Sequence, residues 1–114
     1  MRVLVCGGRD YDNAVQLQKY MNTLDAAEGV SVVIHGAARG ADSLAGRWGI
    51  SRRKEVIPYP ADWRKHGRAA GPIRNKQMLD EGKPDLVIAF LGGRGTENMI
   101  KQATAAGVPV RRVT

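Results

Sequence analysis

Cysteine is nearly absent from this sequence, and long apolar runs are missing. The 114 residues contain one cysteine, Cys6, so no internal disulfide can form. No apolar stretch approaches the roughly 20 residues that a membrane-spanning helix needs. The run after Met1 is also too short for a secretory signal. We therefore expect a cytoplasmic protein without a membrane partner, in which Cys6 is a small core residue at a strand end.

Several common site motifs are also missing. Cysteine, histidine and carboxylate residues show no spacing typical of a zinc site, so no metal is expected. The Gly-x-x-x-x-Gly-Lys-[Ser/Thr] motif is absent, which argues against a P-loop NTPase. The Gly-x-Gly-x-x-Gly spacing is absent too, which disfavours a nicotinamide dehydrogenase. We expect no cofactor.

Acidic residues are scarce relative to basic ones. Eleven Asp and Glu face 18 Lys and Arg, which gives a net charge of +7 and a pI near 10.1. This imbalance favours an anionic partner such as a nucleotide, a nucleic acid or another polyanion. The apolar content of 43% and the charged content of 25% are those of an ordinary globular chain.

Short apolar runs alternate with helix-length segments along the whole chain. Strands are predicted at 2–6, 30–34, 54–58, 85–90 and 108–113, and helices at 13–27, 43–50, 71–79 and 97–106. Residues 59–68 lack clear periodicity. This alternation predicts parallel strands joined by right-handed crossovers, with helices on both faces of the sheet. The expected fold is a single Rossmann-like α/β domain of about five parallel strands that spans residues 1–114.

A glycine-rich turn links the fourth strand to the last helix. It contains Gly92, Gly93, Arg94, Gly95 and Thr96. Glycines allow backbone N–H groups to approach a ligand closely, and the helix that follows directs its positive dipole end to the same place. Thr96 is suited to cap the helix and to donate to a phosphate oxygen. The turn therefore predicts a phosphate-binding loop, although many glycine turns in α/β proteins bind nothing.

Two further loops of similar chemistry follow the first and second strands. Their candidate phosphate-binding residues are Gly7, Gly8, Arg9, Gly36, Arg39 and Gly40. In a parallel sheet, ligands bind beyond the carboxyl ends of the strands. Six of the twelve arginines are expected at that edge: Arg9, Arg39, Arg64, Arg68, Arg74 and Arg94. This clustering indicates an anion site.

Other residues at this edge have two interpretations each. Trp63 is suited to stack on a base, or to cover the edge of the core. Asp42 is either a helix cap or a group that contacts a sugar, and Asp10 is either a turn former or a second such group. Asp62 is suited to loop solvation. His35 either contacts a phosphate, acts as an acid near neutral pH, or is a hydrogen-bonded histidine at a strand end.

These loops together resemble the SLOG superfamily of Rossmann-like proteins. Residues 35–42 resemble the "S-G-x-A-x-G-I-D" loop of the DprA/Smf proteins, which bind single-stranded DNA. Residues 91–96 are similar to the "P-G-G-x-G-T-x-x-E" signature of the Lonely-guy-type (LOG) phosphoribohydrolases. Residues 74–78 resemble the arginine-containing helix start of the same family. Short phage and bacterial SLOG-type proteins are the relatives that this pattern implies.

The sequence departs from the LOG signature at its last position. Met99 stands where the family has a glutamate, which acts with the arginine matched here by Arg74. Cleaving an N-glycosidic bond needs a carboxylate near the ribose and protonation of the leaving base, and a thioether supplies neither. The remaining candidate catalytic residues are Arg74, Asp42, Asp10 and Glu97.

We therefore expect a protein that binds a nucleotide or a nucleotide-derived ligand, as a sensor or a sequestering protein. One alternative is a hydrolase that cleaves the N-glycosidic bond of nucleoside 5′-monophosphates. Another is DprA-like binding of single-stranded DNA, whose affinity would fall steeply with salt. The resemblance and the thin core also predict a homodimer or a larger homo-oligomer.

Overall fold

The fold is a five-stranded parallel sheet with helices on both faces, in a computed structural model that describes residues 1–114. The strands are β1 (Arg2–Cys6), β2 (Val32–His35), β3 (Glu55–Pro58), β4 (Leu86–Ala89) and β5 (Val110–Arg112). The helices are α1 (Ala14–Glu28), α2 (Ala41–Ser51), α3 (Trp63–His66), α4 (Ala70–Gly82) and α5 (Arg94–Ala105). The strand order β3-β2-β1-β4-β5 confirms the predicted Rossmann-like class.

The two faces of the sheet each build their own core. Alternate residues of a strand point to opposite faces, so Val3 and Val5 of β1 pack in one core and Leu4 in the other. Helices α1 and α2 cover the first face, and α4 and α5 cover the second. The central strands β1, β2 and β4 are almost wholly buried, which explains their nearly continuous apolar sequences.

Most element bounds differ from the sequence-based expectation by one to three residues, and two differences affect predicted site residues. Helix α5 begins at Arg94 rather than at 97, with Gly93 as its N-cap and no side-chain cap. Thr96 therefore lies in the first turn and is not the capping residue. The aperiodic stretch at 59–68 contains the short helix α3, whose N-cap Asp62 accepts from the amide of Lys65 at 3.1 Å. A 3₁₀ turn (Gly67–Ala69) joins α3 to α4.

The loops after β1, β2 and β4 touch one another beyond the carboxyl edge of the sheet. The amide of Gly8 donates to the carbonyl of Leu91 at 2.8 Å, and the amide of Ala41 donates to the carbonyl of Gly8 at 3.2 Å. A Cβ atom on Gly7 would lie 2.5 Å from the Cβ of Ala41. The three loops therefore form one contiguous surface, and a side chain at Gly7 would prevent this contact.

Ion pairs link the edge strand β5 to both helical layers. Arg111 binds Glu28 of α1 at 2.8 Å, and Arg112 binds Glu97 of α5 at 2.9 Å. Each pair has a second hydrogen bond, at 3.3 Å and 3.1 Å respectively. No helix has the length and apolar content that crossing a bilayer requires.

Gly40 provides a test of the contact between the first two loops. Its backbone has φ +81° and ψ −129°, and a Cβ atom there would lie 2.7 Å from the carbonyl carbon of Arg9. We expect Gly40→Ala to lower the free energy of unfolding by about 2–5 kcal/mol, measured by urea denaturation. The matched control is Gly107→Ala, because Gly107 also has positive φ but nothing within 4 Å of its Cβ position. The control is expected to cost about 1–2 kcal/mol, and equal losses in the two variants would contradict the packing explanation.

Candidate functional site

A cleft of about 1090 Å³ opens where the loops after β1 and β4 meet the first turns of α4 and α5. Strands β1 and β4 are adjacent in the sheet, although β2 and β3 intervene in sequence. This is the point at which the strand order reverses, where open parallel sheets bind their ligands. The volume is sufficient for a small organic ligand. We call it the main cleft.

Main-chain N–H groups without an acceptor line one wall of the main cleft. The amides of Gly92 and Gly93 donate to no group of the chain. The first bond of α5 runs from the amide of Glu97 to the carbonyl of Gly93 at 3.0 Å, so the amides at 94–96 precede it. These five N–H groups and the helix dipole create a positive potential at the cleft wall.

The glycines of this wall fall into two groups, one required for packing and one that leaves open space. A Cβ atom on Gly92 would lie 2.6 Å from the amide nitrogen of Gly8 and would overlap the Thr96 hydroxyl, so Gly92 is needed for packing. Cβ atoms on Gly93 or Gly95 would meet nothing within 4 Å. These two glycines therefore leave open space beside the free amides.

Four arginines from four segments line the main cleft: Arg9, Arg68, Arg74 and Arg94. None of the four takes part in an ion pair, whereas Arg111 and Arg112 on the far edge strand are both paired. Of the other arginines expected here, Arg39 lies outside this cleft and pairs with Asp10 at 3.4 Å between exposed side chains. Arg64 is exposed on α3 and lines no part of it. The four guanidinium groups therefore have no carboxylate at ion-pair distance, although Asp10, Asp12 and Asp42 also line the cleft.

Arg74 is the most firmly held of these arginines. Its Nη1 donates to the carbonyl of Gly36 and, at 3.4 Å, to the carbonyl of Tyr59. Its Nε donates to Oδ1 of Asn75 at 3.1 Å. Its Nη2 has no partner in the chain. The guanidinium is thus fixed in orientation with one amino group left for a ligand.

Asp42 is a buried carboxylate at the floor of the main cleft. Only 6% of the residue is exposed, and its Oδ2 accepts from the amides of Gly36 at 3.0 Å and Ala38 at 3.2 Å. Burial raises the pKa of this carboxyl to about 6, although the two amides and the guanidinium groups of Arg74 and Arg9 oppose the shift. Asp42 does not cap α2, whose N-cap is Gly40.

Comparison with known proteins identifies the family. The family described as "YspA, cpYpsA-related SLOG family" matches residues 1–66, which include β1, β2 and β3 with the two loops that follow β1 and β2. The chain belongs to this SLOG family. It is similar to the Gene 61 protein of Mycobacterium phage D29, with 39% identity over 117 residues that cover 96% of this chain and 93% of the phage protein. This agrees with the expected resemblance to short phage proteins of the SLOG type.

The position of the LOG glutamate lies in the core of this SLOG protein. Met99 is fully buried and packs with Met78 and Ala103 in the second core. Glu97 is exposed, pairs with Arg112 and lies outside the main cleft. Of the four candidate catalytic residues, the main cleft therefore contains Arg74, Asp42 and Asp10.

Several other predicted site residues have structural partners. Gly36 lies between the guanidinium of Arg74 and the carboxylate of Asp42, and its amide is occupied by Asp42. Gly40 packs on the carbonyl of Gly8. His35 accepts from the amide of Ala37 at 2.9 Å, and burial lowers its pKa. These contacts fix the loop after β2 rather than present free donors to a ligand.

Cys6 and the carboxylates show no metal-binding arrangement. Burial raises the pKa of the Cys6 thiol to about 12, so it stays protonated. No group of three or more His, Cys, Asp or Glu residues lies close enough together to hold a metal ion.

The structure adds amide side chains that the sequence reasoning did not select. Asn75 is 3% exposed, and its Nδ2 donates to the carbonyl of Gly95 at 3.2 Å and to Oδ1 of Asn98 at 3.1 Å. Both asparagines line the main cleft, and together they connect the starts of α4 and α5. Their positions in the sequence could have indicated a place at the site. Asn75 adjoins Arg74, and Asn98 follows Gly95 by three residues, which places both on one helix face.

The raised pKa of Asp42 predicts that the stability of the protein depends on pH. A carboxyl whose pKa rises from 3.8 to about 6 on folding stabilises the protein fully below pH 4 and loses that effect as the pH rises through 6. Asp42→Asn keeps an oxygen for both amides without the charge. We expect the variant to match the parent protein near pH 4 and to exceed it by about 3 kcal/mol at pH 7.5, measured by urea denaturation. A difference that does not change with pH would contradict this account.

Proposed function

We propose that this protein binds a nucleotide or a nucleotide-derived molecule in the main cleft, with its phosphate against the loop at 92–96. The free amides of Gly92 and Gly93 and the first turn of α5 would surround the phosphate oxygens. Arg9, Arg74 and Arg94 would neutralise their charge. As a binder without turnover, the protein would act as a sensor or as a sequestering protein.

The main support for this proposal is that free main-chain amides and guanidinium groups without ion pairs line the same cleft. Either feature alone has an ordinary structural explanation. Together they leave several hydrogen-bond donors and several positive charges without partners, and an anionic ligand satisfies both needs. Membership of a SLOG family supports a nucleotide-related ligand.

A direct experiment compares nucleoside 5′-monophosphates with the matching nucleosides by isothermal titration calorimetry. We expect saturable one-site binding of a monophosphate that the nucleoside lacks, with inorganic phosphate as a competitor. Native mass spectrometry of freshly purified protein would show which small anion accompanies it. Failure of every monophosphate and of every 3′,5′-bisphosphate to bind at millimolar concentration would overturn the proposal. An affinity that grows with oligonucleotide length and falls steeply with salt would instead favour single-stranded DNA.

Gly95→Ala separates binding from folding. The added methyl group meets nothing within 4 Å in the free protein, and alanine is a better helix former by up to about 1 kcal/mol. We therefore expect unchanged or higher stability, together with an affinity for the monophosphate that is lower by about tenfold or more, which is about 1.4 kcal/mol. Lys101→Ala, on the exposed side of the same helix, is the control. Equal affinities of Gly95→Ala and the control would show that the phosphate does not approach this turn.

A second candidate function is the N-glycosidic hydrolysis of a nucleoside monophosphate. The observation that favours it is Asp42, a carboxyl that titrates near pH 6 and lines the cleft near Arg74. Water would attack C1′ of the ribose as the bond to the base nitrogen breaks, and would release one proton to solvent as the C1′ hydroxyl forms. Asp42 in its protonated form would donate a proton to the departing base.

A separate experiment tests the hypothesis of N-glycosidic hydrolysis. We expect chromatography to detect free base released from a nucleoside 5′-monophosphate, at a rate that falls above about pH 6. Asp42→Asn, shown to be folded by denaturation, should lower that rate by about 100-fold or more. Absence of free base even at high protein concentration would remove this candidate and leave the binding proposal intact.

A further inference from the structure

A second, smaller cleft of about 470 Å³ adjoins the main cleft on the side of β2 and β3. Its lining residues include Arg9, Arg39 and Arg74 but no carboxylate-bearing residue. The loop at 36–39 and the segment Pro60–Ala61 form the rest of its walls. A concave region whose only charged lining groups are three guanidinium groups is suited to an anion.

The two clefts share one wall. Arg9, Trp63 and Arg74 line both of them. The guanidinium carbon of Arg9 lies 5.3 Å from the centre of the Trp63 ring, at the distance of a cation–π contact. Arg74 is fixed on the same wall by the carbonyls of Gly36 and Tyr59. The wall therefore presents positive charge to both sides.

The loop that borders the second cleft is held in one unusual conformation. Ala37 has φ +58°, a left-handed conformation that a residue with a Cβ atom adopts at an energetic cost. The hydrogen bond from its amide to Nδ1 of His35 maintains it, and the amides on either side of it donate to Asp42. The walls of the second cleft are thus formed before any ligand binds.

We propose that the second cleft is an anion subsite, and that the ligand is a nucleotide-derived molecule with two separate phosphoryl groups. This inference rests on the proposed function, because the first phosphoryl group occupies the loop at 92–96. The second lies in the smaller cleft, where Arg39 and the shared arginines neutralise it. The sugar joins the two groups past the edge of Trp63.

Arg39 distinguishes the two subsites. It lines the second cleft and not the main one, and its only ion pair is the exposed contact with Asp10. Such exposed pairs contribute little to stability, so a neutral side chain at this position is compatible with folding. Arg47 provides a matched control, because it is also exposed, forms no ion pair and lines neither cleft.

The test compares each nucleoside 5′-monophosphate with the matching 3′,5′-bisphosphate by isothermal titration calorimetry. We expect the bisphosphate to bind about tenfold or more tightly than the monophosphate to the unmodified protein. Arg39→Gln should reduce this ratio towards one, with most of the loss on the bisphosphate. Arg47→Gln should leave the ratio unchanged. Quenching of fluorescence that is lost in Trp63→Phe would show that the ligand passes the shared wall.

The other possible results overturn the second subsite, the proposed function or both. Binding of the monophosphate without any gain for the bisphosphate overturns the second subsite and leaves the proposed function standing. An equal loss for both ligands in Arg39→Gln also overturns it. Failure of both ligand types to bind overturns the proposed function and this inference together. An affinity that keeps rising through oligonucleotides with more than two phosphates assigns the clefts to a polynucleotide and overturns the small-ligand form of the proposal.

Discussion

Close contact among three glycine loops is the constraint on which the whole functional edge depends. Gly8 bonds to Leu91 on one side and to Ala41 on the other, so the loops after β1, β2 and β4 are positioned by one another. Side chains at Gly7, Gly40 or Gly92 would push these loops apart. Because the loops after β1 and β4 and the start of α5 line the main cleft, this contact positions Arg9 and Arg94. Arg68 and Arg74 come from the 3₁₀ turn and from α4, which follow β3.

The distribution of charge differs between the edge strand β5 and the main cleft. At β5, arginines have carboxylate partners from both helical layers. At the main cleft, Arg9, Arg68, Arg74 and Arg94 have none. Like charges that converge without partners repel one another, which costs folding free energy that a purely structural arrangement would avoid. Guanidinium groups without an ion-pair partner at a pre-formed concave surface are suited to an anionic ligand, which supplies a countercharge.

The fold could be predicted from the sequence because its signals are local. Strand-length apolar runs and glycine at the loop junctions define the β–α alternation, and parallel connectivity then places the loops at one edge. The start of α5 was harder, because Gly95 and Thr96 resemble loop residues although the helix has already begun at Arg94. The environment of Asp42 was not predictable, since it depends on the left-handed Ala37, which a sequence does not mark. The contact of Arg9 with Trp63 joins segments more than 50 residues apart, beyond the reach of periodicity.

The ion pairs of β5 affect how copies of this chain can associate. An exposed edge strand usually offers free N–H and C=O groups to a strand of another molecule, and charged residues on a short edge discourage such pairing. Here the strand is three residues long, and two of the three are arginines anchored above and below the sheet. A neighbouring strand would have to bring its own backbone beside two bulky charged groups. Continuation of the sheet into a second subunit is therefore disfavoured on this side, and any assembly of the protein is directed towards its helical surfaces or towards β3.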